Sequence, residues 1–315
     1  MITASSVFAE EVCAGLCKPQ KELPSKYLYD AVGSRLFEVI TVLPEYGVTR
    51  AEDRILELHA PDLAARVPNG IAIAELGSGS GIKTRRILSA LSRDHHTRYF
   101  PIEISATALA ACEREVSDIR TVSVVGIERE YLDGLLEVAA RRRDGEQLLV
   151  LFLGSTIGNF EPAAAVGFLR KIRSMLNPWD FLLLGTDLMK PVPVLLAAYD
   201  DALGVTAAFN LNLLARINRE LGGHFVVSQF EHVARFNESA KSIEMHLRSR
   251  VAQRVFVEGA GMTVEFEEGE TIWTESSHKY CLPQIAQMAA ESGFSCPEQW
   301  IDSEWGFAEN LWMAG

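Results

Sequence analysis

Residues 71–83 read Ile-Ala-Ile-Ala-Glu-Leu-Gly-Ser-Gly-Ser-Gly-Ile-Lys, which is a short apolar run followed directly by a glycine-rich loop. The apolar run predicts a buried strand over Ile71–Leu76. Glycines let the backbone turn sharply and come close to a ligand, and the first turn of a following helix offers free N–H groups. The stretch therefore predicts a strand, a ligand-binding turn and a helix.

Further apolar runs follow at intervals that are each long enough for a helix. We predict strands at these runs and helices between them, among them Ala111–Ser117 and Pro162–Met175. Short apolar strands that alternate with helices indicate an α/β fold, with a parallel sheet covered by helices on both faces. The later strands are predicted at Tyr99–Ile104, Thr121–Val125, Leu148–Leu153 and Phe181–Leu184.

The pattern changes along the chain. Before the first strand it is typical of helices, and Pro61 predicts the first turn of a new helix. Val194–Leu221 predicts two helices, the second ended by Gly222, and Phe225–Thr274 has the period of two that antiparallel strands with one buried face show. We expect a main domain of residues 1–190 and 281–315, with a helical segment at 1–70, and an inserted α+β substrate-binding domain at 191–280.

Composition and charge limit the class of function. The 315 residues carry a formal net charge of −12, which argues against a nucleic-acid partner because phosphate binding needs a basic surface. No apolar run reaches the length of a membrane span, and the five cysteines show no zinc-ligand spacing. We expect the protein to be a cytoplasmic monomer. We expect no metal ion, because His246 and His278 have no third ligand at a suitable spacing.

The glycine loop and two carboxylates indicate which ligand the turn binds. Ile82 stands where a dinucleotide-binding loop needs its third glycine. Glu75, just before the first glycine, would repel a pyrophosphate but would favour an amino group or a sulfonium. Glu103 closes the second strand at a spacing close to that of the ribose-binding carboxylate in nucleotide-binding sheets. Together these features predict a site for S-adenosylmethionine, with S-adenosylhomocysteine as its product.

Several longer strings are more specific than the glycine loop. They lie at residues 43–46 (LPEY), 77–84 (GSGSGIKT), 153–160 (LGSTIGNF), 185–188 (GTDL), 198–201 (AYDD), 207–218, 243–247 (IEMHL) and 269–280. On these strings the sequence resembles the histidine Nα-methyltransferases of ergothioneine biosynthesis, over nearly the whole chain from Lys26 onward.

The resemblance implies a fold and a reaction. The fold is a class I (Rossmann-like) methyltransferase sheet dependent on S-adenosylmethionine, with an inserted substrate-binding domain. The reaction is the transfer of methyl groups to the α-amino nitrogen of L-histidine, up to the trimethylated product hercynine. The cofactor-binding residues that the resemblance implies are Gly77, Ser78, Gly79, Lys83 and Glu103.

By the same resemblance, a free amino acid is held at both ends. Its carboxylate would be bound by Tyr46, Asn159 and Tyr199, which are neutral donors and place no cation beside the sulfonium. Its imidazole N–H would be bound by Glu275 and Ser277.

The resemblance also implies residues around the reacting nitrogen. Tyr29 and Asn159 are the candidate catalytic residues, Tyr29 because its ring would lie near the growing methylammonium, where a cation–π contact is favourable. Met245 and Gly154 would line the substrate pocket.

The sequence departs from the family pattern at two places. The family often has a second tyrosine after the one at Tyr46, whereas this chain has Gly47, which would widen the entrance. An acidic residue commonly meets the adenine amine after the third strand. Here Gly126 is followed by Ile127 and then by Glu128, so both of these are candidate adenine contacts.

Several of these residues have a purely structural alternative. Asn159 would equally cap the helix at Pro162, Glu275 would be a solvated charge at a strand end, and Met245 would be a core residue. At the level of function, two alternatives stay open: methylation of another free amino acid or small amine, and a non-catalytic sensor of S-adenosylmethionine. An acceptor without a matching N–H would leave Glu275 unpaired at a cost, whereas a sensor would need no acceptor contacts.

Overall fold

The computed structural model describes residues 4–315. Its helices are α1 (Ala4–Leu16), α2 (Ala31–Ile40), α3 (Val48–Arg66), α4 (Thr84–Leu91), α5 (Ala106–Val116), α6 (Tyr131–Ala140), α7 (Pro162–Ser174), α8 (Val192–Tyr199), α9 (Val205–Leu221) and α10 (Leu282–Glu291). Its strands are β1 (Lys21–Glu22), β2 (Ala72–Leu76), β3 (Thr97–Glu103), β4 (Val122–Val124), β5 (Ile127–Glu128), β6 (Leu148–Phe152), β7 (Phe181–Asp187), β8 (Phe230–Asn237), β9 (Ser242–Ser249), β10 (Gln253–Val257), β11 (Met262–Phe266), β12 (Thr271–His278), β13 (Phe294–Asp302) and β14 (Phe307–Ala314).

The chain divides into two compact units. The core unit comprises Val48–Met189 and His278–Gly315, and the insert unit comprises the chain up to Gly47 together with Lys190–Ser277. The sequence pattern assigns the first 47 residues to the main domain, whereas the structure groups them with the insert. The physical reason is pairing between distant residues: Asn212 of α9 donates to the Asp30 carboxylate at 2.8 Å, and β1 pairs with β12.

The core unit is built on a sheet that has eight strands within the described part of the chain. The order is β13-β14-β7-β6-β2-β3-β4, and β5 pairs with β3. Strands β2, β3, β4, β6 and β7 are parallel, and β14 is antiparallel to both of its neighbours. The strand order reverses between β2 and β6, as in doubly wound Rossmann-like sheets, which bind ligands at the carboxyl ends of the strands beside this point. The predicted α/β fold with a mostly parallel sheet is confirmed.

Helices cover both faces of this sheet. On one face, α6, α7 and α10 bury apolar side chains against the strands in a single core cluster. On the other face, Thr84 of α4 donates to Glu75 of β2 at 2.6 Å. Cys112 of α5 lies on that face too, 3.3 Å from the hydroxyl of Tyr99 on β3. The alternation of side chains along β2 thus sends its alanines into the apolar core and Glu75 toward polar partners.

Helix α3 continues through Pro61, so the prediction that a new helix starts there is wrong. Proline cannot donate to the carbonyl of Glu57, one turn earlier, which normally weakens a helix interior. Glu57 is exposed, so water can replace the missing donor. The apolar face of α3, which includes buried Ile55 and Leu63, continues across the proline.

The insert unit contains a mixed sheet and a hairpin. Within the residues that the structure describes, the sheet has the order β1-β12-β9-β8, and β10 pairs with β11 in a separate antiparallel ladder. Strands β8 and β9 pair antiparallel from Phe230↔Ser249 to Asn237↔Ser242, as the period of two predicts. Helix α9 ends at Gly222, where φ is 58°.

Between residues 4 and 315, no helix combines the length and the apolar character that a membrane span requires. The same residues contain no group of His, Cys, Asp or Glu side chains that could hold a metal ion. His246 instead stacks on Trp273, with 6.3 Å between ring centroids, and its Nε2 lies 3.2 Å from Glu244.

Candidate active site

The loop after β2 takes its shape from glycines. Gly77, Gly79 and Gly81 have φ values of 73°, 52° and 76°, in the left-handed region that glycine adopts without a steric penalty. A Cβ on Gly81 would lie 2.7 Å from Sγ of Cys112, whereas a Cβ on Gly79 would meet no described atom within 4 Å. Ser78, between the glycines, is buried. The backbone at Gly79 therefore borders open space, which a ligand-binding turn requires.

Glu103, at the end of β3, holds this loop in place. One of its carboxylate oxygens accepts the N–H of Gly79 at 3.2 Å, and the other accepts the N–H of Ser105 at 3.1 Å. Glu128 of β5 pairs directly opposite Glu103. Ile127 is buried in the core, and Glu128 is exposed. The predicted cofactor residues of this region thus lie at neighbouring strand ends, and their contacts with a ligand stay predictions.

Glu75 is directed into the interior of the core unit. Thr84 donates to one of its oxygens at 2.6 Å, and the Tyr99 hydroxyl donates to the other. Burial raises the pKa of Glu75 to about 7, although both hydrogen bonds favour the ionised form. Glu75 is predicted from the sequence to face a cationic ligand, but in the structure protein side chains hold both of its oxygens. Its observed contacts join β2, β3 and α4 beneath the loop.

Lys83 lies just before the first turn of α4, and its ammonium forms an ion pair with Glu52 of α3. Burial would lower the pKa of Lys83, but the charge of Glu52 and the hydrogen bond to it bring the pKa above its usual value. Glu52 also accepts the N–H of Gly154. A Cβ on Gly154 would lie 3.7 Å from Nζ of Lys83. The structure therefore brings Lys83 and Gly154 together after the carboxyl ends of β2 and β6.

Beyond Gly154, the chain forms a short 3-10 turn over Thr156–Asn159. Asn159 is half-buried at the end of this turn. The N-cap residue of α7 is Glu161, so Asn159 does not occupy the N-cap position. The turn packs closely in the core unit, because a Cβ on Gly158 would lie 2.9 Å from the carbonyl oxygen of His278.

In the insert unit, three predicted substrate residues form one polar surface. Glu275 and Ser277 are two residues apart on β12, so their side chains point to the same side of the strand. The hydroxyl of Tyr199 donates to Oγ of Ser277 at 2.7 Å. Glu275 is 8% exposed, and the alternative of a solvated charge at a strand end is therefore wrong for this residue.

An aromatic cluster connects the other predicted residues of the insert unit. The ring of Tyr29 lies edge-on to Phe37 and Phe209, with centroid distances of 5.4 and 5.5 Å. Phe37 contacts Tyr46 at 6.2 Å, and Tyr46 contacts Tyr199 at 6.2 Å. The structure thus brings the three tyrosines into one cluster. Sequence reasoning did not find Phe37 or Phe209, because an isolated phenylalanine in a helix carries no signal beyond packing.

His232 holds the backbone at Tyr199 and Asn210 holds the His232 ring, and sequence reasoning missed both. Nε2 of His232 lies 2.8 Å from the Tyr199 carbonyl oxygen, and Nδ1 lies 2.9 Å from the Asn210 amide nitrogen. Burial lowers the pKa of His232, so a neutral ring donates from Nε2 and accepts at Nδ1. His232 stands in no sequence motif, and Asn210 lies in the string 207–218 but was not singled out as a site residue. Met245 lies on β9 and is buried, with its carbonyl oxygen 3.0 Å from the Thr274 hydroxyl, and both interpretations of its side chain stay open.

The family profile described as "Histidine-specific methyltransferase, SAM-dependent" matches residues 8–314, which include nearly all of both units. The chain belongs to this family. The resemblance inferred from the sequence strings is therefore confirmed, and so is S-adenosylmethionine as the cofactor of the family.

Curated relatives of this histidine-specific methyltransferase agree with the family. The histidine N-alpha-methyltransferase of Mycolicibacterium smegmatis is 42% identical, over 98% of this chain and 95% of its own length. The histidine N-alpha-methyltransferase of Mycobacterium tuberculosis is 42% identical, over 96% of this chain and 93% of its own length. Ergothioneine biosynthesis protein 1 of Neurospora crassa is 31% identical over 85% of this chain, which corresponds to 32% of the fungal protein.

The residues of the core unit fit the cofactor. S-adenosylmethionine carries a carboxylate and two ribose hydroxyls, so it needs a cation and an acceptor of hydroxyl protons. Lys83 supplies an ammonium, and Glu103 supplies a half-buried carboxylate. Gly79 leaves open space at the turn between β2 and α4. All three follow the carboxyl ends of parallel strands, where sheets of this topology bind their ligands.

Proposed function

We propose that this histidine-specific methyltransferase transfers methyl groups from S-adenosylmethionine to the α-amino nitrogen of L-histidine, up to the trimethylated product hercynine, as in ergothioneine biosynthesis. The polar surface of Tyr199, Ser277 and Glu275 carries the proposal. It places a buried acceptor-only carboxylate beside hydroxyl groups, which suits an acceptor that has both an N–H and a carboxylate. The names of the mycobacterial relatives support the same acceptor.

The cofactor supplies a methyl group on a sulfonium sulfur. The lone pair of an amine attacks this methyl group, and the sulfur leaves as a thioether. In our proposal the chain binds and orients the acceptor: the hydroxyl of Tyr46 donates to its carboxylate, and Glu275 accepts its imidazole N–H. The single proton of the Tyr199 hydroxyl, which is donated to Ser277 in the structure, is donated to the carboxylate when the acceptor binds. Orientation of this kind lowers barriers by up to ~7–11 kcal/mol in model reactions. Because these donors are neutral, they add no positive charge near the sulfonium.

The amine must be neutral to attack, and we propose that it loses its proton to water. Each transfer forms an N–C bond and leaves a methylammonium, which must lose a proton before the next transfer, and the third product keeps its positive charge. The ring of Tyr29, fixed edge-on between Phe37 and Phe209, then stabilises the methylammonium by a cation–π term of about 0.5–2 kcal/mol. A rigid ring costs little entropy on binding, because its position is already determined by packing.

We also propose that the protein works in the cytoplasm, as a monomer and without a nucleic-acid partner. The cysteines at residues 13, 17, 112, 281 and 296 are free thiols, which agrees with a reducing compartment. The net charge of −12 opposes contact with a phosphate backbone. Sedimentation at several protein concentrations tests the monomer.

Titration calorimetry tests the proposed function against the sensor alternative. We expect S-adenosylhomocysteine to bind, and L-histidine to bind to the protein that is saturated with it. A sensor would bind S-adenosylhomocysteine and none of the amino acids. An acceptor other than histidine would give heat with that amino acid and none with histidine.

A further inference from the structure

Glu52 connects several elements of the core unit beneath the cofactor loop. It is fully buried on α3, where one oxygen accepts from the Lys83 ammonium and the other accepts the N–H of Gly154. A second buried carboxyl, Glu309 of β14, lies beside it. A Cβ on Gly185 would be 2.8 Å from Oε1 of Glu52 and 3.1 Å from Oε1 of Glu309, so the glycine leaves room for both carboxyl groups.

Two adjacent buried carboxyl groups favour a state in which one of them holds a proton. No N–H or O–H donor among the described residues reaches either oxygen of Glu309. Burial, followed by the charge of Glu52, raises the pKa of Glu309 well above its usual value. Since both oxygens of Glu52 accept from N–H donors, we place the proton on Glu309, whose Oε1 borders Gly185 together with that of Glu52. The pair then carries one negative charge, which Lys83 balances.

This arrangement determines whether the side chain of Lys83 is charged. Burial by itself lowers the pKa of Lys83 and favours the neutral amine. The negative charge of Glu52 is the largest effect in the opposite direction, and it raises this pKa. An ammonium has three N–H donors, of which Glu52 takes one. The others remain for an anionic group of a ligand, and the carboxylate is the only anionic group of S-adenosylmethionine.

We propose that Glu52 is a positioning residue that keeps Lys83 charged and directed at the carboxylate of S-adenosylmethionine, and that Glu309 supports Glu52 as a neutral acid. This inference rests on the proposed function, because it takes Lys83 as a residue that binds the methyl donor. The competing account is that Glu52 only neutralises Lys83, in which case its removal would free the ammonium and strengthen donor binding.

The same chemical change at the two neighbouring glutamates separates these accounts. We expect Glu52→Gln to weaken S-adenosylhomocysteine binding by about tenfold or more, the range of a hydrogen bond to a charged group. We expect Glu309→Gln to leave the affinity within about twofold, because glutamine is also neutral and donates a hydrogen bond. Calorimetry measures both. In Glu52→Gln the KM for histidine at saturating donor should change by a much smaller factor than the donor affinity, because the glutamine oxygen can still accept the N–H of Gly154.

Three results would overturn the proposal. Unchanged or tighter binding in Glu52→Gln would mean that Glu52 neutralises Lys83 and does not position it. A tenfold loss in Glu309→Gln would mean that Glu309 acts as a charge. Equal losses in donor affinity and in the KM for histidine would mean that Glu52 only supports the fold.

If Glu52→Gln does not fold, measurements on the wild type and on Glu309→Gln still test the proposal. Infrared spectroscopy at a pH well above 7, where Glu75 is ionised, should show the carbonyl stretch of a protonated carboxylic acid in the wild type and its loss in Glu309→Gln, and an unchanged spectrum contradicts the proposal. Lys83→Met distinguishes a failure of the positioning proposal from a failure of the proposed function. If it binds S-adenosylhomocysteine as the wild type does, the positioning proposal fails while the proposed function stands. If the wild type itself does not bind this ligand, the proposed function fails.

Discussion

The hydroxyl of Tyr199 donates a 2.7 Å hydrogen bond to Oγ of Ser277, and both side chains are buried. The bond joins the end of α8 to β12, two residues from Glu275. His232 holds the backbone of Tyr199 from the other side. A tyrosine fixed in this way keeps its hydroxyl oxygen in one place. Its one proton must leave Ser277 before the hydroxyl can donate to a small carboxylate.

Removal of this hydroxyl should affect the acceptor alone. We expect Tyr199→Phe to raise the KM for histidine by a factor that corresponds to about 0.5–1.5 kcal/mol, the value of a neutral hydrogen bond. Ser277→Ala removes the same bond from its other end, so the double variant should lose less than the sum of the single losses. Steady-state kinetics measure the three variants. An equal loss of affinity for S-adenosylhomocysteine would show that the pair supports the fold only.

Glu103 should matter for the donor. We expect Glu103→Ala to weaken S-adenosylhomocysteine binding by about 1.5–3 kcal/mol, because it removes charged acceptors of hydroxyl protons and releases the N–H of Gly79 that Glu103 holds. The matched control is Glu137→Ala on α6, where the carboxylate pairs with Arg141 at the surface. Calorimetry that finds the same affinity in both variants would remove Glu103 from the cofactor site.

Glu275 should determine which amino acid is accepted. We expect Glu275→Ala to lose about 1.5–3 kcal/mol in kcat/KM for histidine, and to lose less, or to gain, with phenylalanine or tryptophan, since a site built for an N–H rejects analogues that lack it. The resemblance assigns Asn159 to the carboxylate that all amino acids share, so Asn159→Ala should weaken every acceptor alike. The measurement is kcat/KM for histidine and one aromatic amino acid in each variant. If Glu275→Ala lowers both acceptors by one factor, the imidazole assignment fails.

The stability of the core unit should depend on pH through Glu75. Burial raises the pKa of this carboxyl from 4.5 to about 7 in the folded protein. Its contribution to stability is therefore complete below pH 4.5 and falls as the pH rises to about 7, because the folded state must release a proton that it binds more tightly than the unfolded state does. Glu75→Gln stays neutral and lacks this loss. The free energy of unfolding of the wild type minus that of the variant should fall by up to roughly 3 kcal/mol across this range.

Urea unfolding at several pH values measures this difference, and the subtraction removes the contribution of other titrating groups. A difference that does not change with pH would show that folding leaves the pKa of Glu75 at its unfolded value, which contradicts the prediction. The prediction concerns stability alone, because Thr84 and Tyr99 already hold both oxygens of this side chain.

The parts of the fold that were predictable from the sequence are those with local signals. The strand at Ile71–Leu76 and its glycine loop are encoded within a dozen residues, and the structure has β2 and three glycines of positive φ there. The period of two between Phe225 and Thr274 gave the antiparallel strands. The prediction that a new helix starts at Pro61 is wrong because a surface helix tolerates a missing N–H donor where water can take its place.

The sequence could not reveal features that depend on distant residues. Glu52 and Glu309 lie near opposite ends of the chain, and only the neighbouring strands and helices of the core unit bring them to Lys83. Glu75 was assigned to the ligand because it precedes the loop, but the direction of its side chain follows from the pleat of β2 and the position of Tyr99. The strings of the resemblance identified candidate site residues, and the packing around Tyr29 came from the structure alone.

The most direct test of the account is the mass spectrum of the products formed from S-adenosylmethionine and each of the twenty amino acids. We expect L-histidine to be the preferred acceptor, and its mass to rise in steps of one methyl group up to three, with the methyl groups on the α-nitrogen in fragment spectra. Consumption of another amino acid with no methylated histidine would contradict the central claim.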